Sequence, residues 1–154
     1  MTITFGPHTI RPGQVFFRSA LSYGLVNLKP IAPGHVLVVP HRLVPRFTDL
    51  TPDEVSDLFQ SAQTIGRVIE RQFRGESLTL AVQDGPAAGQ TVPHVHVHII
   101  PRRFGDWTNN DDIYVDLEKS SVARVDNPER PPRSEEEMAV EADMLRPLFG
   151  ETAH

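Results

Sequence analysis

The chain contains no cysteine, which excludes disulfide staples, thiolate zinc sites, iron–sulfur clusters and cysteine nucleophiles. No stretch approaches the roughly 18 consecutive apolar residues of a membrane helix. Met1-Thr2-Ile3-Thr4-Phe5-Gly6-Pro7 has neither the cationic start nor the apolar core of a secretory signal, so a cytoplasmic or nuclear address and no membrane partner are expected. Positive charge is also short, because 15 Lys and Arg against 20 Asp and Glu leave −5 with His neutral. Proteins that grip a nucleic acid polymer usually carry a basic balance, since binding scales with the phosphates neutralised. A polymeric nucleic acid partner is thus disfavoured, whereas a small anion held by a few local donors is not. The chemistry must come from His, carboxylates, hydroxyls or backbone.

What is present fits one α+β domain over residues 1–154. At this length a fold buries roughly 68–70% of its unfolded surface, enough for a core without metal or disulfides. Proline is abundant at 14 residues, which favours extended segments and abrupt turns over a helical bundle. Thr51-Pro52-Asp53-Glu54 reads as a capping box with proline at the first helical position. Behind it Val55, Leu58, Phe59, Ala62, Ile65, Ile69 and Phe73 recur at helical spacing, and Gly75 is the expected stop. Ser134-Glu135-Glu136-Glu137 repeats the capping logic ahead of Met138, Met144, Leu145 and Leu148, with Pro147 limiting that C-terminal helix to three or four turns.

Five segments read as strands: Val15–Arg18, Tyr23–Asn27, His35–Val39, Leu78–Gln83 and Pro93–Ile100. Their short, turn-rich links favour antiparallel neighbours, so the expectation is an antiparallel sheet of about five strands with the long helix packed on one face. Residues 104–133 lack apolar periodicity and read as a flexible surface loop, with a turn of helix within 113–117. Arg102 and Arg103 read as a solvated pair.

The strongest motif is Pro93-His94-Val95-His96-Val97-His98-Ile99-Ile100-Pro101. Strand alternation places the three imidazoles on one face and Val95, Val97 and Ile99 on the other. Two chemistries compete for such a row. Strand histidines can share zinc, but residues i and i+4 lie roughly 13 Å apart while zinc needs nitrogens at about 2.0–2.1 Å. Only a two-His site completed by His35 or a carboxylate is then conceivable. Alternatively, a neutral imidazole attacks phosphorus, its second nitrogen held by an acceptor and nearby donors neutralising the transferring group. The Gly-rich turn Asp84-Gly85-Pro86-Ala87-Ala88-Gly89-Gln90-Thr91 just before the motif offers backbone donors for an oxyanion.

The run His94-Val95-His96-Val97-His98-Ile99-Ile100 resembles the signature of the histidine triad (HIT) superfamily. Leu25-Val26-Asn27, Pro33-Gly34-His35-Val36-Leu37-Val38, Gln83-Asp84-Gly85-Pro86, Ala88-Gly89-Gln90-Thr91-Val92 and Arg133-Ser134-Glu135-Glu136-Glu137-Met138 resemble its fragile histidine triad branch, the dinucleoside polyphosphate hydrolases. The resemblance implies a HIT-like fold, a homodimer whose sheets join across the twofold, and cleavage of diadenosine triphosphate to AMP and ADP through a nucleotidyl-histidine. It implies His96 as nucleophile, His98 as the donor at the phosphate and leaving group, and His94 and His35 as supports. Gln83, Gly89, Gln90, Thr91 and Val92 match phosphate contacts, Asn27 a ribose contact and His8 a further substrate contact. Phe5, Ile10, Leu25 and Leu37 match an adenine pocket. No resident cofactor or protein metal site is expected, and a divalent cation (Mg²⁺ or Mn²⁺) would come with the substrate polyphosphate. The alternatives are a nucleoside phosphoramidase or adenylylsulfate hydrolase of the same superfamily, a nucleotide-binding signalling protein, and a zinc protein.

Overall fold

A computed structural model describes residues 2–122 and 132–150. The main sheet contains β3 (Val15–Arg18), β4 (Ser22–Val26), β5 (Val36–Pro40), β6 (Ser77–Ala81) and β7 (Val97–Arg102), in the order β3-β4-β5-β7-β6 with every pair antiparallel. Ahead of it, β1 (Ile3–Phe5) and β2 (His8–Ile10) form a separate two-stranded hairpin. The sequence did not announce that hairpin, because each strand is only three residues long.

Helix α1 (Pro52–Gln72) starts at the expected capping box: Glu54 N–H donates to Thr51 Oγ1 at 3.1 Å, and Thr51 N–H donates to Glu54 Oε1 at 2.9 Å. Arg42 forks onto the same carboxylate at 2.9 and 2.7 Å and draws its pKa down to about 2. The face toward the sheet is Leu58, Ala62, Ile65 and Ile69, fully buried against Val36, Val38, Val95, Val97 and Ile99. Each of the leucine and isoleucine side chains contributes roughly 1.5–3 kcal/mol. Phe59, assigned to that stripe by its spacing, is instead 39% exposed. The helix stop also differs from expectation. Gly75 N–H reaches Glu70 O (2.7 Å) and Arg74 N–H reaches Arg71 O (3.3 Å), a Schellman ending in which Arg74, not glycine, holds the left-handed position with φ 55°.

Helix α3 (Glu135–Leu145) has the second capping box, closed between Ser134 and Glu137. Its buried stripe is Met138, Ala142 and Leu145, while Met144 and Leu148 are largely exposed. The expected stripe therefore shifts by part of a turn. A 3₁₀ turn over Arg146–Phe149 takes the place of a continued helix where Pro147 falls.

Within the stretch read as a loop, Asp112–Val122 form helix α2, longer than the single turn expected. Ile113 and Leu117 pack on Ile100 and are fully buried, and this apolar pair was masked by the polar residues around it. Residues 123–131 of that expected loop lie outside the described residues. Arg102 and Arg103 are not a solvated pair either. Arg102 forks onto Asp106 at 2.8 and 3.0 Å and stacks over Trp107, and Arg103 donates to the carbonyls of Phe73 and Arg74 at the end of α1.

Candidate active site

Strand register builds the centre of the site. Leu25 on β4 faces Leu37 on β5, which faces His98 on β7, so one row of cross-strand partners brings two apolar side chains beside an imidazole. The opposite face of the same strands carries Val36, Val38, Val97 and Ile99 into the core under α1. The histidine row extends beyond the ladder. β7 begins at Val97, whereas the sequence places the strand start at Pro93. His94 N–H turns back to Val92 O and Val95 N–H donates to Val44 O, which takes 94 and 95 out of the ladder while the alternation of faces persists.

All four histidines are buried, with His35 and His94 at 0%, His98 at 6% and His96 at 8% exposure. Their bonds assign the tautomers. His94 Nδ1 accepts from Gly6 N–H at 3.0 Å, so its Nε2 carries the proton and donates to Pro40 O at 2.9 Å. His96 Nδ1 donates to His94 O at 2.7 Å, which leaves the His96 Nε2 lone pair unprotonated. His35 Nδ1 accepts from Ile31 N–H at 3.1 Å, so its Nε2 donates to His98 Nδ1 at 2.9 Å. The proton of His98 is thereby placed on Nε2, a buried atom with no hydrogen-bond partner. The His96 and His98 rings lie 5.1 Å apart between centroids.

Burial lowers the pKa of His94 and of His96 below the ordinary 6.5. His98 is pushed well below it, first by burial and then by His35 and His96. The row is consequently neutral near pH 7: one lone pair at His96 Nε2 beside one donor at His98 Nε2. Such a pair can attack an electrophilic phosphorus and donate to an oxygen attached to it. Among the described residues no group of three or more His, Cys, Asp or Glu is placed to hold a metal.

His96 and His98 open onto a cavity of about 750 Å³. Phe5, His8, Ile10, Leu25, Asn27, Leu37, Thr91 and Val92 line it, so ten of the fifteen expected site residues share one chamber. The Phe5 ring meets His96 edge-on at 4.9 Å. His35 and His94 lie behind the wall, His35 bonded to His98 Nδ1 and His94 offering its carbonyl to His96 Nδ1. Gln83, Gly89 and Gln90 are not on the wall. Gly89 has φ 93°, a left-handed conformation that favours glycine, and the Gln83 amide packs against it, with Nε2 2.8 Å from where a Cβ would fall. Gln90 ties the turn together, its amide oxygen accepting from Gly85 N–H at 2.8 Å and its amide nitrogen donating to Pro45 O at 2.9 Å. The N–H groups of Ala88, Gly89 and Gln90 bond within the turn.

Sequence reasoning missed the wall from the far end of the chain: Pro132, Arg133, Glu135 and Met138. It also missed Lys29 and Gln14. For the far-end residues the signal was the motif-like run at Arg133–Met138, which had no stated role.

The HIT domain family matches residues 9–105. A bis(5'-adenosyl)-triphosphatase of Dictyostelium discoideum is 55% identical over 152 residues, spanning 98% of this chain and 96% of that protein. The bifunctional bis(5'-adenosyl)-triphosphatase/adenylylsulfatase FHIT of Arabidopsis thaliana is 55% identical over 149 residues, 94% of this chain and 83% of its own. Among solved structures, the Plasmodium falciparum diadenosine triphosphate hydrolase in complex with Cyclomarin A superposes with a TM-score of 0.76 at 30% identity, over 94% of this chain and 82% of that one. With its histidine row, its sheet and these relatives in agreement, the chain belongs to the HIT domain family.

Proposed function

We propose that this protein is a dinucleoside polyphosphate hydrolase that cleaves diadenosine triphosphate to AMP and ADP through a nucleotide carried on His96. The observation that carries the reading is the pairing of a locked lone pair at His96 Nε2 with the unpartnered Nε2–H of His98 at the wall of one cavity. The names of relatives that match nearly the whole chain support the substrate class.

In this reading the His96 lone pair attacks the α-phosphorus. A nitrogen–phosphorus bond forms as the bond to the bridging oxygen breaks, and ADP leaves with that electron pair while its oxygen takes a hydrogen bond from His98 Nε2–H. The positive charge on the His96 ring is balanced against the His94 carbonyl, which already accepts from Nδ1. Water then adds to phosphorus, the pair returns to Nε2, AMP departs and the water's proton passes to solvent. A divalent ion, Mg²⁺ or Mn²⁺, enters with the polyphosphate as part of the substrate. Leu25, Leu37, Ile10 and Phe5 supply an apolar slot for adenine, Asn27 takes the ribose and His8 makes a further contact with the substrate.

A short incubation with radiolabelled diadenosine triphosphate, stopped by denaturation, should leave acid-labile nucleotide on His96. A protein that turns over substrate yet never carries label, or inversion rather than retention at a chiral phosphorus, overturns the two-step path. The bifunctional name of the Arabidopsis relative favours a second reading, adenylylsulfate as a further donor of AMP to the same nitrogen. Turnover of the two substrates compared side by side ranks them. The same proposal includes a homodimer joined along β6, an edge strand of the sheet on which Leu80 is 46% exposed. Sedimentation at micromolar concentration should give twice the chain mass, and a monomer at all concentrations would remove this part.

A further inference from the structure

Strand β4 ends at Val26, so Asn27 and Leu28 lie past the ladder although both line the cavity. Arg133 takes over there. Its backbone N–H donates to Leu28 O at 3.0 Å, its Nε donates to Asn27 O at 3.1 Å, and its Nη2 donates to the same oxygen. The guanidinium also meets Glu141 with two bonds of 3.1 Å each. Both side chains are mostly buried, at 18% and 16% exposure. Glu141 is in turn fixed because α3 is seated by Met138, Ala142 and Leu145.

The held residue faces the chemistry. Lys29 N–H donates to Asn27 Oδ1 at 3.1 Å, which sets the amide's orientation. Its Nδ2 then rests against His35, 3.2 Å from Nδ1 and 3.1 Å from Nε2, and His35 donates to His98. A continuous series of contacts therefore runs from α3 through Arg133 and Asn27 to the imidazole that faces the phosphate.

We propose that Arg133 is a positioning residue for nucleotide binding: by gripping the Asn27 carbonyl while anchored on Glu141, it sets the ribose side of the cavity. The inference rests on the reading under Proposed function for the identity of the ligand, and its contribution is to affinity rather than to the reacting atoms. A planar fork is needed because one guanidinium must serve a carbonyl and a carboxylate together, which a lysine ammonium does less well.

The test uses the full chain, with AMP affinity by calorimetry and KM and kcat for diadenosine triphosphate. Arg133→Met should weaken AMP binding and raise KM roughly tenfold, the loss expected for one charge-assisted grip, with kcat changed less than KM. Arg133→Lys should fall between that variant and the parent, and it keeps the test available if Arg133→Met does not fold. The deciding variant exchanges the charges, R133E with E141R. It restores an ion pair, and with it part of the melting temperature lost in either single variant, yet a carboxylate at 133 cannot donate to the Asn27 carbonyl. AMP affinity and KM should therefore stay impaired. If the exchange returns affinity together with stability, or if Arg133→Met leaves both constants unchanged, Arg133 is an ordinary structural ion-pair residue and the inference is wrong. If the parent protein binds AMP but does not cleave diadenosine triphosphate, the proposed function fails while the AMP affinities still decide this point.

Discussion

The cavity has a floor and a rim, and they are held in different ways. The floor is the Leu25–Leu37–His98 row, carried by neighbouring strands whose ladder bonds fix position residue by residue, with His35, His94 and His96 just beyond the ladder and held by ring bonds to Ile31 N–H, Pro40 O and His94 O. The rim comes from the two ends of the chain, the β1–β2 hairpin and residues 132–138, and neither belongs to the main sheet. The hairpin is seated by Tyr23 Oη donating to Thr4 O at 2.7 Å, by Gly6 N–H on His94, and by Ile3 and Phe5 in a small apolar cluster with Leu25 and Leu37. A site built on a rigid sheet keeps reacting groups within the tight tolerance that catalysis demands. A rim attached by a few side-chain bonds shapes what binds. Substitutions in the floor should therefore act on kcat and those in the rim chiefly on KM.

The largest effect belongs to the floor. His96→Asn removes the attacking nitrogen while keeping a polar side chain of similar reach, and turnover of diadenosine triphosphate should fall at least about 10⁴-fold. Nucleotide affinity should stay within about threefold, because the apolar slot and Asn27 are untouched. A variant retaining a tenth of the parent rate would mean that His96 is not the nucleophile.

Gly6 tests a place where rim and floor meet, its N–H on His94 Nδ1. Its φ is 59°, and a Cβ there would fall 2.7 Å from Val92 Cγ1 and 3.4 Å from Pro93 Cδ. Gly6→Ala should cost about 1 kcal/mol or more in stability from the left-handed conformation alone. It should also draw the N–H away from His94 Nδ1, leaving the ring held by Nε2–H on Pro40 O alone, so that the ring tilts and the His94 carbonyl that orients His96 shifts with it. We expect kcat to drop roughly tenfold, with the His94 Nδ1 resonance moving as it loses its hydrogen bond. Unchanged kcat with reduced melting temperature would confine the hairpin to recognition.

The same division explains what the sequence disclosed. Alternation of His with Val and Ile across residues 94–99 is a local pattern with a period of two, and it gave both the face and the row. The capping boxes at Thr51 and Ser134 are likewise complete within four residues. The rim has no local signature, because Gly6 finds His94 across 88 residues and Arg133 finds Asn27 across 106. The bonds of Gln90 have no local signature either, since its amide reaches Gly85 N–H and Pro45 O, the latter 45 residues away. Helix α2 was legible only as a single turn, since among its described side chains just Ile113 and Leu117 are buried, two apolar positions in a polar stretch.

The smallest expected effect is one of pH, and it separates the floor's chemistry from its stability. A free imidazole would be half protonated near 6.5, but burial holds His96 below that value and His98 well below it. For diadenosine triphosphate, whose internal phosphates have no secondary ionisation near neutrality, the acid limb of kcat/KM should fall below pH 6.5. Stability responds earlier. In the unfolded chain these rings take protons from about 6.5 downward while the folded rings resist, so the unfolded state binds more protons and the fold weakens as pH drops through that window. Each such group contributes a slope of about 1.4 kcal/mol per pH unit until its own folded pKa is reached. Glu54 and Asp106, each drawn down to about 2 by an arginine fork, act in the same direction lower on the scale, their contributions lost as pH falls from about 4 toward 2. The melting temperature should thus be level above pH 7 and begin to fall near 6.5, while kcat/KM at 25 °C is still undiminished. A rate constant that halves at pH 6.5 in step with the melting temperature would show the floor to be solvated, and the contrast between floor and rim would be lost.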